Sequence, residues 1–505
     1  MTQAAVTASP TTAVTPSACA LEPPSRTPAR LRGFTLLQAN LEAVLVIAAC
    51  AWWLLLAPRL EGGRGAGAVT GGAILTGLAT LVVRPHRVAP RGAIWLALAV
   101  SAGALGVAVL APTGWAGAPA AASYVCVSWT VIVVAAAARS NPKLPNLILL
   151  LVVAGVLVEV AESWLAWWGG SDASVPISGT FYWYDPFAAF MLAGSVIGFA
   201  LWLWRSGPVA AFGLLAAALG TIGMVYSTSR AAGACFAVAM LAVGIVQLST
   251  RGLAGVRRLA VAVAAIGFAV WGIAGPPFFA HRSLPFAGTS GRATGQSLSQ
   301  NGGYRVDFWH EAIGVFHRHP LVGGGFHSLA SAAQGHVPRS WPLSPLAHNG
   351  YLQALSDGGL LLGVPFLLAA ALIGWYVVRA LIAAVRQREL TAAGFVAPLC
   401  LGALLVHSAV DFDWSYAADF EVVAVLAGLV AAAHWSRAEP EVRRGPSRLA
   451  AVAVLAGVAL TGVAAVAAWP GDFKQSLPLG HSAVQSLGHS TAQEPAHPTS
   501  SGSSL

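Results

Sequence analysis

The residues with the clearest capacity for chemistry lie in one long polar stretch, between Tyr304 and Gly363. The stretch begins YRVDFWHEAIGVFHRHPLVGGG, continues through a Gly/Pro/Ser-rich connection, and ends AHNGYLQALSDGGLLLG. It places Arg305 and then the pair His348-Asn349 ahead of a long apolar run. Charged and imidazole groups are costly at membrane depth, so a cluster of them beside such a run favours a functional role.

His348 is a candidate general base. An imidazole changes its charge close to neutral pH, which suits it to take a proton from a substrate hydroxyl. Its position, at the junction of a flexible loop and a membrane span, is where a lipid-borne substrate would lie. A loop histidine without a chemical role is the alternative, and the residue types alone leave both open. Asn349 follows directly and is a candidate supporting residue.

Arg305 and Arg230 are candidates for binding an anion. Arg305 stands on the first turn of a predicted amphipathic surface helix over 304–319, and its planar guanidinium can bind phosphate oxygens in bidentate fashion. Arg230 opens an earlier span in YSTSRAAGACF, where serine hydroxyls and the helix N-terminus would favour an anion. Contact with lipid headgroups is the alternative for Arg305, and snorkelling to the interface is the alternative for Arg230.

His407 and Asp411 form a second candidate group, in the segment LVHSAVDFDW. A continuous helix would place them on one face, so we expect them to hydrogen-bond. Either they orient each other as a structural pair, or Asp411 supports the site. Asp411 and Asp413 also spell the D-x-D that binds metal in many soluble sugar-nucleotide transferases. Three letters are a weak pattern, and the sequence therefore predicts no metal site.

The composition requires a membrane protein. Of the 505 residues, 56 % are hydrophobic and 9 % charged, whereas soluble domains carry roughly a quarter charged residues. The 18 Trp and 55 Gly suit interfacial anchors and close helix packing. The net charge of +9 comes from arginine-rich connections and does not indicate a nucleic-acid partner. The five Cys lack close pairing, so the sequence predicts no disulfide framework, zinc site or redox motif.

Apolar runs long enough for helices of about 20 residues predict about thirteen spans within a membrane bundle over 36–470. Every second connection is rich in arginine, so the positive-inside rule places the N-terminus in the cytoplasm and the long loop 276–350 outside. The tails 1–35 and 471–505 are predicted to be disordered. The predicted spans lie near 40–58, 66–83, 93–111, 118–138, 146–165, 186–204, 208–226, 230–248, 259–275, 358–379, 392–410, 417–435 and 449–468.

These elements, in this order, resemble the O-antigen ligase and polysaccharide polymerase superfamily. An S-R opens a span, and the long loop then carries R-x-x-x-W at Arg305 and Trp309. H-P-L-x-G-x-G and H-N-x-Y-L-Q follow, beginning at His319 and His348, and an H…D lies in the next span. The upstream SGTFYWYDPFAAFML is similar to the G-x-F-x-x-x-N-x-x-A segment of the family, but has Asp185 and a proline where Asn is common. The core of the resemblance covers about 205–415.

The resemblance implies an all-α, polytopic bundle of about 12–13 spans, similar to the C-type polyprenyl-dependent glycosyltransferases, with one large extracytoplasmic loop. It implies a metal-independent, inverting glycosyltransferase of the cytoplasmic membrane that needs no cofactor. The enzyme would transfer or polymerise glycan from an undecaprenyl-pyrophosphate-linked donor onto a glycan, lipid or protein acceptor at the outer face.

The resemblance also implies roles for single residues. Arg230 and Arg305 would bind the donor pyrophosphate, and His348 would take the proton from the acceptor hydroxyl. Asp411 would help to place the acceptor or the histidine, with Asn349 and His407 as further supporting residues. Ligase, polymerase and protein O-glycosylating members share these motifs, so the acceptor stays open.

A transporter or flippase of lipid-linked glycans is the alternative from another functional class. Transporters commonly contain two related halves, whereas here one predicted outward loop far exceeds all others. A purely structural membrane scaffold would leave the cluster of arginine and histidine without an explanation.

Overall fold

The computed structural model describes residues 29–59, 66–168, 178–181, 183–273, 298–336, 344–388, 392–437 and 448–467. Every regular element in these ranges is a helix, and none is a strand. Ten of the described helices are long and apolar enough to cross a membrane, and two shorter apolar helices lie at Gly67–Val83 and Gly394–His407. The prediction of an all-helical, polytopic membrane protein is confirmed.

Most helices coincide with predicted spans, because long apolar runs are bounded by Pro, Gly and charged residues that end a helix. The α-helices of the described residues are α1 Ala29–Ala51, α2 Ala66–Val83, α3 Arg91–Leu110, α4 Ala118–Ser140, α5 Leu144–Trp168, α6 Tyr184–Trp204, α7 Gly207–Ser227, α8 Arg230–Ile273, α9 Leu298–Arg318, α10 Leu329–Ala333, α11 Gly350–Gln387, α12 Ala397–His407, α13 Ala417–Arg437 and α14 Arg448–Ala467.

Two boundaries differ from those expected. The predicted span 230–248 and residues 259–273 of the next predicted span, 259–275, both belong to α8, which bends at Gly252, where φ is 58° and ψ is −150°. Glycine tolerates this backbone conformation, so the helix turns without a separating loop. The first helix begins at Ala29, inside the predicted tail 1–35. The rest of that tail and the tail 471–505 lie outside the described residues, so their disorder stays a prediction.

The loops that connect the helices lie at two opposite ends of the bundle, and these ends differ in their residues. At one end, arginines donate hydrogen bonds to neighbouring segments: Arg139 Nη1 donates to the Val88 carbonyl at 3.2 Å, and Arg205 Nη2 donates to Asn146 Oδ1 at 2.6 Å. We call this the arginine end. At the opposite end, called here the site end, α6, α8, α11 and α13 begin and α7 and α12 finish. All candidate site residues lie at the site end.

A break in α11 explains the glycine-rich motif of the long loop. At Gly359 the backbone has φ 54° and ψ −148°, so the helical hydrogen bonds are interrupted. Backbone groups left free inside a membrane protein must find other partners, and the segment 320–325 supplies them. Leu360 N donates to Pro320 O at 2.7 Å, Leu361 N to Leu321 O at 3.0 Å, Gly324 N to Ser356 O at 2.8 Å, and Gly325 N to Asp357 O at 3.0 Å.

The two backbone segments in this contact approach each other so closely that a side chain in place of either glycine would not fit. A Cβ atom on Gly359 would lie 2.6 Å from the Gly323 nitrogen, and both residues have positive φ. H-P-L-x-G-x-G is therefore a packing motif. It fixes the long loop, and with it α9, against the first part of α11.

Candidate active site

Asp411 lies at the centre of the candidate site. Its side chain is fully buried, and its two oxygens face different groups: Arg305 Nη2 is 3.2 Å from Oδ2, and His348 Nδ1 is 3.5 Å from Oδ1. The backbone nitrogen of Phe412 donates to Oδ1 at 3.0 Å. The turn after α12 thus brings one carboxylate between α9 and the start of α11.

The electrostatics of this carboxylate follow from its partners. Burial alone would raise the pKa of Asp411, but the polar contact with His348 and the charge of Arg305 outweigh burial and lower it. Asp411 is therefore held as a carboxylate. Arg305 and His348 retain 30 % and 19 % side-chain exposure, so both can reach a substrate that Asp411 does not touch.

The His348 ring is fixed on several sides. Phe308 of α9 stacks on it, with ring centroids 5.4 Å apart, and Phe412 meets it edge-on at 4.5 Å. Trp309 Nε1 donates to the His348 carbonyl at 3.3 Å. The residue has φ 50°, in the left-handed region that costs a non-glycine residue energy and is enriched at functional sites. Because Nδ1 faces Asp411, Nε2 is the nitrogen left for a substrate.

Asn349 positions this histidine. Its Oδ1 caps α11 by accepting from Tyr351 N and Leu352 N, both at 3.0 Å. Its Nδ2 donates to the Ala409 carbonyl at 2.8 Å. Asn349 therefore ties the start of α11 to the turn that carries Asp411, and its supporting role in the site stays a prediction.

Arg305 lies on α9, an amphipathic helix as the sequence predicts. The helix begins at Leu298, earlier than expected, and ends at Arg318, ahead of Pro320. Ala312 and Val315 of the predicted apolar side are buried. The same buried face contains Glu311, which is 1 % exposed and whose two oxygens have no hydrogen-bond partner among the described residues. Burial and the neighbouring charge of Asp307 raise the pKa of Glu311 to about 7.

Arg230 is half-buried at the first position of α8, directly after the tight turn in which Thr228 has φ 62°. The buried Asp185 side chain, at the start of α6, lies near Ser229, the neighbour of Arg230, and within electrostatic range of Asp411 and Arg305. The start of α8 is therefore linked to the site through Asp185. Asp185 is a further candidate beyond those predicted from the sequence, where it stands out only as a departure from the Asn of the similar family segment.

The expected pair of His407 and Asp411 is wrong. His407 Nδ1 lies 2.6 Å from Asp413 Oδ2, and Ser408 Oγ donates to the same oxygen at 3.2 Å. The physical reason is that α12 ends at His407, so the next residues no longer follow helical spacing. His407 supports the turn through Asp413, and Asp411 is left to face Arg305 and His348. Burial raises the pKa of Asp413 despite the charge of His407.

The two aspartates of the D-x-D therefore have different partners: Asp411 faces Arg305 and His348, and Asp413 contacts His407. Over the described ranges, no group of three or more His, Cys, Asp or Glu residues has the geometry to hold a metal ion.

Comparison with known proteins identifies part of the chain. Residues 215–367 match a family model described as O-antigen ligase. The match covers less than a third of the chain and includes Arg230, Arg305, His348 and the broken part of α11, whereas Asp185 and Asp411 lie beyond it. No curated protein matches the chain. The resemblance expected from the sequence is thus confirmed over residues 215–367, and it supports a role of this membrane protein in ligase- or polymerase-like assembly of surface polysaccharide.

Proposed function

From the O-antigen ligase domain at residues 215–367, we propose that the protein transfers glycan from an undecaprenyl-pyrophosphate-linked donor to an acceptor hydroxyl. The observation that carries the proposal is the contact of Asp411 with both Arg305 and His348. Arg305 and His348 lie on opposite oxygens of this buried carboxylate, which supports roles for them as the anion-binding cation and the general base.

The chemical step follows from this arrangement. The acceptor oxygen attacks the anomeric carbon of the donor sugar and forms the new glycosidic bond, while His348 Nε2 takes the hydroxyl proton. The bond from that carbon to the pyrophosphate oxygen breaks, and undecaprenyl pyrophosphate leaves with the electron pair. Arg305 and Arg230 stabilise the charge on the leaving group. Asp411 stabilises the imidazolium. One displacement without a covalent enzyme intermediate inverts the anomeric centre, and no metal takes part.

The membrane orientation belongs to the same proposal. The arginine end of the bundle faces the cytoplasm, and the site end, with the long loop, faces outwards. The donor is therefore used after it has been moved across the cytoplasmic membrane.

An experiment in spheroplasts tests the proposed function. Cells that produce His348→Ala should lose the finished surface glycan and accumulate lipid-linked glycan. A membrane-impermeant oxidant such as periodate should modify that glycan without lysis. His336→Ala is the matched control, since His336 is an exposed histidine of the same loop, and it should behave as wild type. Accumulated glycan that reacts only after lysis would contradict the proposal and indicate a flippase.

A further inference from the structure

A long apolar groove crosses the bundle between α3, α4, α11 and α13. It encloses about 860 Å³, counted with its open side. Phe420 and Trp435 of α13 both line it, and fifteen residues of helix correspond to about 22 Å. The groove therefore extends from the site end most of the way to the arginine end. Leu96, Val127 and Ala370 line it and are only half-buried, so the groove is open to the surface of the bundle.

A polar cleft adjoins the groove at the site end. It measures about 380 Å³ with its opening, and Tyr124 and Trp414 line both spaces. Asp357 in this cleft accepts a hydrogen bond from Gln353 Nε2 at 2.7 Å. The indole nitrogen of Trp414 is buried and has no hydrogen-bond partner among the described residues. The other polar side chains of the cleft are Ser123, His327 and Ser415.

The charges of the two spaces restrict what they could bind. Among the described residues, neither lining contains an arginine or a lysine. The cleft offers a phosphate group no guanidinium or ammonium partner, whereas carboxyl, amide, hydroxyl and indole groups all hydrogen-bond to sugar hydroxyls. The buried Trp414 donor lacks an acceptor, which a hydroxyl oxygen of a ligand would supply. The groove is lined mostly by apolar side chains, with Ser128, Tyr376 and Trp435 among the polar exceptions, and suits hydrocarbon.

We propose that the groove and cleft together bind a membrane lipid with an uncharged, hydroxyl-rich head, and that this lipid carries the acceptor. The head lies in the cleft and the hydrocarbon chain in the groove. Gly350 lines the cleft and belongs to the same helix start as His348, so the head is held beside the base. The donor pyrophosphate binds separately, at Arg305 and Arg230. The role as acceptor site rests on the proposed function, whereas lipid binding does not.

Binding can be measured without any transfer reaction. The purified, delipidated full-length protein is mixed with monoglucosyl diacylglycerol, with phosphatidylglycerol of the same acyl chains, or with undecaprenyl pyrophosphate, and bound lipid is counted by native mass spectrometry. Wild type should retain the glucolipid at least about tenfold more than phosphatidylglycerol. Ala370→Trp fills the groove and should lose about tenfold in glucolipid binding, but keep binding of undecaprenyl pyrophosphate. Val452→Trp, on an exposed position of α14, is the control and should bind all three as wild type does.

Equal retention of the two diacyl lipids by wild type would overturn the proposal, and this comparison needs no variant. Unchanged glucolipid binding by Ala370→Trp would overturn it as well. His348→Ala separates the site from the proposed function, since it should bind the glucolipid normally. If that variant transferred glycan at the wild-type rate, the catalytic proposal would fail while the lipid site stood.

Discussion

At the scale of single residues, Asp411 connects the two functional groups of the site. It faces Arg305 through Oδ2 and His348 through Oδ1, and these contacts hold its pKa below the usual range against the effect of burial. A histidine oriented by a carboxylate on one ring nitrogen presents the other to the substrate and is stabilised once it is protonated. The same carboxylate limits the motion of the guanidinium that is proposed to bind pyrophosphate.

Arg305→Lys should be nearly as damaging as Arg305→Ala. Lysine keeps the positive charge but loses the planar fork that contacts Asp411 and is proposed to bind phosphate oxygens at the same time. We expect either change to lower the transfer rate by about 10²–10³-fold, measured with purified donor at equal protein concentration. Arg318→Lys is the control on the same helix. Full activity of Arg305→Lys would show that only the positive charge at this position matters, and would contradict bidentate binding.

Asp411→Asn and Asp413→Asn should have different effects, although the two residues share one turn. Asp411→Asn removes the carboxylate from His348 and should lower the turnover number by at least about 10²-fold while the protein stays folded. Asp413→Asn weakens the 2.6 Å contact with buried His407 and should lower thermal stability more than turnover. Turnover and melting temperature of both variants check this. Similar losses in both quantities for both variants would contradict the assigned roles.

At the scale of secondary-structure elements, the site depends on α9 being fixed against the broken helix α11. The backbone hydrogen bonds between 320–325 and 356–361 hold α9 in place, and the apolar face of α9 packs over the start of α11. One residue on that face is acidic although it is buried: Glu311 is only 1 % exposed. Glu311 should therefore make the stability of the folded protein depend on pH.

Burial raises the pKa of Glu311 to about 7 in the folded protein, whereas an exposed glutamate titrates near 4.3. Between these values the folded state binds more protons than the unfolded state, so stability falls as pH rises from about 4 to 7 and then levels off. Glu311→Gln should remove this contribution, and its melting temperature should decrease less than that of wild type between pH 5 and pH 8. An equal decrease in both proteins would be inconsistent with a buried, titrating Glu311.

The sequence predicted the elements better than their contacts. Apolar runs located the spans, and short motifs located Arg305 and His348, because both signals are local. The pairing of His407 with Asp413 depends on where α12 ends, and the break at Gly359 depends on a loop segment distant in sequence. Asp185 reaches the site only through the packing of α6 against α8. Such long-range arrangements leave no periodic pattern in a single sequence.

At the scale of the whole molecule, the arginine end of the bundle, with its arginine-rich connections, lies opposite the candidate site. Ser331 is exposed on the loop at the site end, and Ser140 is exposed at the arginine end. In a Cys19→Ser background, Ser331→Cys should react with a membrane-impermeant maleimide in intact spheroplasts. Ser140→Cys should react only after lysis, because its end of the bundle is proposed to be cytoplasmic. The reverse labelling pattern would show that the protein has the opposite orientation in the membrane, with the site on the cytoplasmic side.

Glycan transfer by the purified protein tests the central claim most directly. Wild type, His348→Ala and His336→Ala are reconstituted in liposomes with lipid-linked donor and a radiolabelled acceptor, and the initial rate of product formation is measured. We predict that His348→Ala lowers the rate by about 10²–10⁴-fold, as expected for loss of a general base, while donor binding and melting temperature stay at wild-type values. His336→Ala should match wild type. Transfer by His348→Ala at the wild-type rate would contradict the proposed mechanism.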